Sequence, residues 1–140
     1  MFKYSLLLSL LVSSQLSFAL DLKVQIDGIE TLKGKLNLAL YNSSESWLDI
    51  KQAVRNSTLE VTSKKLEISY KNLDPGDYAV AVFQDLNKDG SLNFQFLPPG
   101  PSEPVGFFGM KQLGFGPPAW SDAIFSLKSD LTININLIKP

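Results

Sequence analysis

The chain contains no cysteine and no histidine. Disulfides are therefore excluded, and zinc, copper, haem and iron–sulfur sites lose their usual ligands. A cysteine nucleophile is excluded too, as is any catalytic triad that uses histidine as its base. Arginine occurs once, at Arg55. Setting Lys3 aside, 12 basic and 14 acidic residues remain, a net charge of −2. Phosphate recognition and polybasic membrane contact both need a cationic patch, so neither nucleic acid nor an anionic lipid headgroup is an expected partner.

What is present begins with residues 1–19, MFKYSLLLSLLVSSQLSFA. A charged start at Lys3, a leucine-rich stretch Tyr4–Leu16 and the small-x-small site Ser17-Phe18-Ala19 predict a secretory signal. The apolar core is short and broken by serines, which argues against a retained anchor. The expected product starts near Leu20, is periplasmic or extracellular, and has no membrane insertion after signal cleavage. Residues 20–140 are long enough for one domain with a real core.

Within that stretch the hydrophobic period is two. Leu20, Leu22, Val24 and Ile26 alternate with Asp21, Lys23 and Gln25, and Lys33–Tyr41 alternates again, with Gly34 hinting at a bulge or a close backbone approach. Asn42-Ser43-Ser44 could cap a short helix reaching Val54, with Trp47, Ile50 and Val54 on one face and Trp47 as a core plug. Thr58–Thr62 and Lys65–Tyr70 read as strands. Ala123–Leu127 and Leu131–Ile138 read as a final pair joined by Lys128-Ser129-Asp130. About seven short strands with one small helix predict an all-β antiparallel sandwich.

The chain is organised around Leu73–Phe94. Asp74-Pro75-Gly76-Asp77 has the residues of a type II turn. Tyr78–Phe83 is an apolar run too short for a helix and suited to a strand covered on both faces. Asp85-Leu86-Asn87-Lys88-Asp89-Gly90 then matches D-x-N-x-D-G, the opening of an EF-hand calcium loop. Calcium takes six to eight oxygens, which alternate residues of a curling loop can aim inward. Asp85, Asn87, Asp89, Ser91 (through its carbonyl) and Asn93 are the candidate metal ligands. The twelfth position is Phe96 and not glutamate, so a complete site needs a remote carboxylate; Glu103 and Asp122 are the candidates.

Phe94–Trp120 holds six aromatics, six prolines and five glycines. A long irregular stretch of this kind is often functional. Its rings could line an apolar groove, but the favoured expectation is a loop folded over one end of the sandwich with its rings buried.

Asn72–Phe83 followed by D-x-N-x-D-G resembles a family of small exported bacterial proteins known only as a domain of unknown function. The family's later motifs are matched by Pro101-Ser102-Glu103 with Gly106-Phe107, by Gly116-Pro117-Pro118, and by Asp122-Ala123-Ile124-Phe125. Pro104-Val105 lengthens the spacing between Glu103 and Gly106 here. The L-x-P-G-x-Y turn is also similar to that of transthyretin-like and carboxypeptidase-regulatory modules. The resemblance implies an exported immunoglobulin- or transthyretin-like sandwich and brings no activity with it.

Three functions follow as expectations. The first is a non-enzymatic binding or accessory module of the cell envelope, with a calcium-stabilised acidic loop and an envelope protein or small ligand as partner. The second is a hydrolase using two carboxylates from Asp85, Asp89, Glu103 and Asp122, which would need a defined separation in a cleft. The third is a structural or adhesive subunit docking through a sheet edge or the aromatic stretch.

Overall fold

The computed structural model describes residues 19–140, so the expected signal segment lies outside the described residues except for Ala19. Ten strands are present among the described residues. They are β1 (Leu20–Asp27), β2 (Lys35–Tyr41), β3 (Arg55–Glu60), β4 (Leu66–Leu73), β5 (Gly76–Asp85), β6 (Phe94–Gln95), β7 (Gly100–Pro101), β8 (Val105–Phe107), β9 (Phe125–Leu127) and β10 (Leu131–Asn136). One sheet has the order β10-β1-β4; the other runs β3-β2-β5-β8, with β9 also paired to β5. Alternation decides which side chains meet between them. Leu22, Val24 and Ile26 from β1 and Ile133 and Ile135 from β10 face Leu36, Leu38 and Leu40 from β2 and Tyr78, Val80 and Val82 from β5. Each fully buried aliphatic side chain contributes about 1.5–3 kcal/mol. Among the described residues, the buried core runs from Leu22 to Leu137.

The fold is the all-β sandwich expected, with four local differences. β9 and β10 are not a hairpin: β9 joins β5, whereas β10 crosses to the other sheet and runs parallel to β1. The link Lys128–Asp130 is therefore a strand switch, held where Asp21 N–H donates to Asp130 Oδ1 at 2.9 Å. Second, the helix expected through Val54 is a series of turns ending in a three-residue 3-10 helix at Ile50–Gln52, with Ile50 exposed. The one α-helix described, α1, spans Trp120–Ala123. Third, the polar edge strand β3 starts at Arg55, three residues before the expected Thr58. Fourth, Gly76 sits at φ 157° and Asn72 takes the left-handed conformation at φ 57°, so Pro75-Gly76 makes no type II turn. The chain instead passes from one sheet to the other, and the Tyr78 hydroxyl braces the passage by donating to the Asp74 carbonyl at 2.7 Å.

β5 is covered on both sides. Its outward-facing Ala79 and Ala81 lie beside Tyr41 and Ala39 of β2 and Phe107 of β8. Small residues there leave room for a ring cluster. Trp47 meets Tyr41, Phe107 and Trp120 edge-on, with centroids 5.2, 5.9 and 5.8 Å apart. The Trp47 indole N–H donates to the Pro118 carbonyl at 2.9 Å, pinning the long irregular stretch over this face. Trp47 therefore works as a plug.

The surface charges set the expected pH profile. The Lys71 hydrogen bond holds Asp21 below the ordinary aspartate value, and the Asn134 amide does the same for Asp27. The Gln25 amide lowers Glu67 likewise. Lowered acids add stability that is fully present above about pH 4 and is lost as pH falls through their folded values. Burial raises Tyr41, Tyr70 and Tyr78, so their contribution is present below about pH 10 and is lost as pH rises further. Without histidine, no side chain of ordinary pKa titrates in between. Thermal unfolding across pH should give a plateau from about pH 5 to 9 that falls on both sides. A step near pH 6–7 would contradict it.

Candidate functional site

The acidic loop is built around a carboxylate at the end of β5. Asp85 is 1% exposed, and its two oxygens accept from the N–H groups of Asp89 (3.2 Å) and Gly90 (2.8 Å). Asn87 Oδ1 also accepts from Asp89 N–H at 3.3 Å. The chain curls by placing Lys88 and Gly90 at φ 59° and 82°, the second being the conformation for which glycine is suited. Asp89 closes the curl. Its Oδ1 accepts from Ser91 N–H at 2.9 Å, and its Oδ2 from the amides of Asn87 (3.2 Å) and Asn93 (2.9 Å). The Asn93 amide and the Ser91 N–H hold the Asp89 carboxyl below its ordinary value.

A second buried carboxylate enters from the segment just ahead of β8. Gln84 N–H donates to the Pro104 carbonyl at 2.9 Å, which carries the β5–β8 pairing one step past Phe83–Val105 and sets Glu103 beside Asp85. Glu103 is 4% exposed; its oxygens accept from Leu86 N–H at 2.8 Å and Asn93 N–H at 3.0 Å. One side chain thus clamps both ends of the loop. The cross-strand cation is engaged elsewhere: Lys35 is the cross-strand partner of Asp85, but its ammonium pairs with Glu60 at 3.6 Å, as does that of Lys88 at 3.5 Å. Among the described residues, no lysine or arginine lies within ion-pair distance of Asp85, Asp89 or Glu103. Asn93 Oδ1 is buried and accepts no hydrogen bond. Neighbouring unpaired carboxylates and an orphaned amide oxygen both carry a cost that a cation would relieve.

Glu103 as the clamp on a D-x-N-x-D-G loop sits inside a longer match. Residues 24–134 match the family described as an uncharacterized protein conserved in bacteria (DUF2141). The chain belongs to this family. The resemblance drawn from its motifs is to the same group. No curated protein and no solved structure matches the chain.

In this DUF2141 chain the fold brings together Asp85, Asn87, Asp89, Asn93 and Glu103. Ser91 joins them through its N–H, as donor to Asp89. Asp122 stands apart: it lies on α1, next to β9, which pairs with the opposite end of β5 from Asp85. Tyr78 and Asp85 are seven residues apart on that strand, roughly 23 Å at ~3.3 Å per residue. Among the described residues no three acidic side chains form a group able to hold a metal ion by themselves. Amide and backbone oxygens would have to complete any such site, as they do for calcium.

Two positioning residues are not evident from the motif. Gln84 is buried, and its amide donates to the carbonyls of Thr31 (2.8 Å) and Lys33 (2.7 Å), tying the approach to β2 onto the foot of the loop. Gly34 lies against the Asp85 carbonyl, the close approach its place in the strand pattern suggested. A polar residue at an inward position of an apolar strand was the only signal for Gln84. Beside it is a shallow cleft of about 160 Å³ lined in part by Glu30, Gln95, Ser102 and Lys139. Glu30 is paired there with Lys139 at 3.2 Å.

The rings of Phe94–Trp120 divide into two groups, which corrects the expectation that they are all buried. Phe107 and Trp120 join the cluster around Trp47, and Phe108 packs edge-on against Phe125. Phe94, Phe96 and Phe115 face solvent. The reason is local: Phe94 and Phe96 lie on a narrow hairpin formed by β6 and β7, which has no core of its own to bury them.

Proposed function

We propose that the chain is an exported, non-enzymatic binding or accessory module of the bacterial cell envelope whose acidic loop is closed by calcium. The observation carrying the calcium reading is that two buried carboxylates, Asp85 and Glu103, hold the same loop, and among the described residues neither is within ion-pair distance of a lysine or arginine. Each of their oxygens accepts a single N–H, so each keeps a lone pair for a metal. Asp89 and the amide oxygens of Asn87 and Asn93 would add neutral and charged donors of the hard type calcium prefers. Export rests on the signal-like residues 1–19.

A carboxylate hydrolase has less support. Asp85 and Glu103 brace backbone N–H groups, and the one carboxylate lining the neighbouring cleft, Glu30, is engaged with Lys139. Acid–base chemistry needs carboxylates free to face a substrate.

The test is thermal unfolding of residues 20–140 with calcium, magnesium or chelator. A ligand selective for the folded state should raise Tm by about 10 °C at a hundredfold excess over Kd. The rise should be specific to calcium and absent in Asp89→Ala, an exposed position whose replacement leaves the core intact. An unchanged Tm at millimolar calcium would overturn the calcium reading.

A further inference from the structure

We propose that the tip of the β6–β7 hairpin is a wedge that enters the surface of a phospholipid bilayer. Phe94, Phe96 and Leu97 are 70, 93 and 85% exposed, and Pro98 and Pro99 beside them are exposed as well. This is a protrusion and not a groove: the turn Phe96–Pro99 is exposed throughout, and among the described residues the two short strands that carry it pair only with each other. A protrusion cannot enclose a small ligand; it can only be received by something else.

Three features of the segment say what receives it. The ten residues Asn93–Ser102 carry no charge, although the loops on both sides are charged. Pro98, Pro99 and Pro101 have no N–H, so few backbone donors lose water when the tip enters an apolar layer. The exposed area is also small. Two phenyl rings and an isobutyl group offer on the order of 500 Å², against the ~800 Å² per partner of a standard protein interface. A stable complex with a second copy would need more surface than this tip presents. Insertion into a bilayer surface has no such threshold, because its strength simply grows with the apolar area buried.

The missing basic patch argued against a contact held by anionic headgroups. An apolar wedge does not need one. Its partner is therefore the hydrocarbon–headgroup boundary itself, common to neutral and anionic membranes. This inference stands apart from the calcium reading, since neither the tip nor its exposure depends on a bound ion.

The experiment is co-sedimentation of residues 20–140 with phosphatidylcholine vesicles, with and without phosphatidylglycerol. Binding is expected to both compositions. The double variant Phe96→Asp/Leu97→Asp should bind at least tenfold more weakly at unchanged Tm, because both side chains lie outside the core. Phe115→Asp, an exposed ring on a different loop, should bind as the parent does. The cysteine-free chain allows a second readout, in which Leu97→Cys carrying an environment-sensitive fluorophore shifts to the blue on vesicles and Thr132→Cys does not. Failure of the parent chain to sediment at millimolar lipid would overturn the proposal. So would binding that requires phosphatidylglycerol, equal loss in Phe115→Asp, or a dimer abolished by the tip variant.

Discussion

Gly34→Ala is expected to cost about 3–5 kcal/mol, a large part of the 5–15 kcal/mol that holds a domain together. A Cβ at this position would lie 2.0 Å from the Asp85 carbonyl oxygen and 2.9 Å from its carbon. Both are backbone atoms, so no side chain can rotate out of the way. Gly34 is also at φ 74°, where an L-residue is strained by about 1–2 kcal/mol before any clash. Relief requires β2 and the end of β5 to separate, and Asp85 is the residue around which the acidic loop turns. Gly90→Ala isolates the clash, because Gly90 has a similar φ of 82° and nothing within 4 Å of its would-be Cβ. It should cost only about 1 kcal/mol. Urea unfolding of the two variants checks the difference, and equal losses would show that conformation alone, not the contact with Asp85, makes Gly34 necessary.

Glu103→Ala has the second largest expected effect, about 2–5 kcal/mol, because it leaves the N–H groups of Leu86 and Asn93 without acceptors. Glu103→Gln keeps one acceptor oxygen and should cost less, about 1–2 kcal/mol. The loss should also be local. Amide exchange at Leu86 and Asn93 should accelerate in Glu103→Ala, while β1, at the centre of the other sheet, keeps its protection relative to the new global stability. If exchange at the loop is unchanged, Glu103 is not its clamp. Both variants should also lose the calcium-dependent rise in Tm, since each removes the charge of one of the two buried carboxylates.

Much of the sandwich was legible because a strand writes its environment into a period of two. Leu22, Val24, Ile26 and Leu36, Leu38, Leu40 read as inward-facing residues and are the core. The same logic failed for β9 and β10, whose three-residue link has the look of a hairpin whether or not the strands pair. It failed for Trp47, Ile50 and Val54 as well: three apolar residues at helical spacing were too few to hold a helix against a chain that turns to reach β3.

For the site, the sequence by itself determined the oxygen-rich loop, its glycine and the absence of nitrogen or sulfur ligands. Those are properties of neighbouring residues and of composition. Only the tertiary structure decided that Glu103 is the clamp and that Asp122 is not a neighbour. Both are acidic residues downstream of the same loop, but the segment leading into β8 stays hydrogen-bonded to β5 as far as Gln84, whereas β9 pairs with its far end. The exposure of Phe96 and the burial of Phe107 were decided in the same way. One ring sits on a hairpin with nothing beneath it, and the other lies in a strand over the alanines of β5, a distinction that local sequence does not carry.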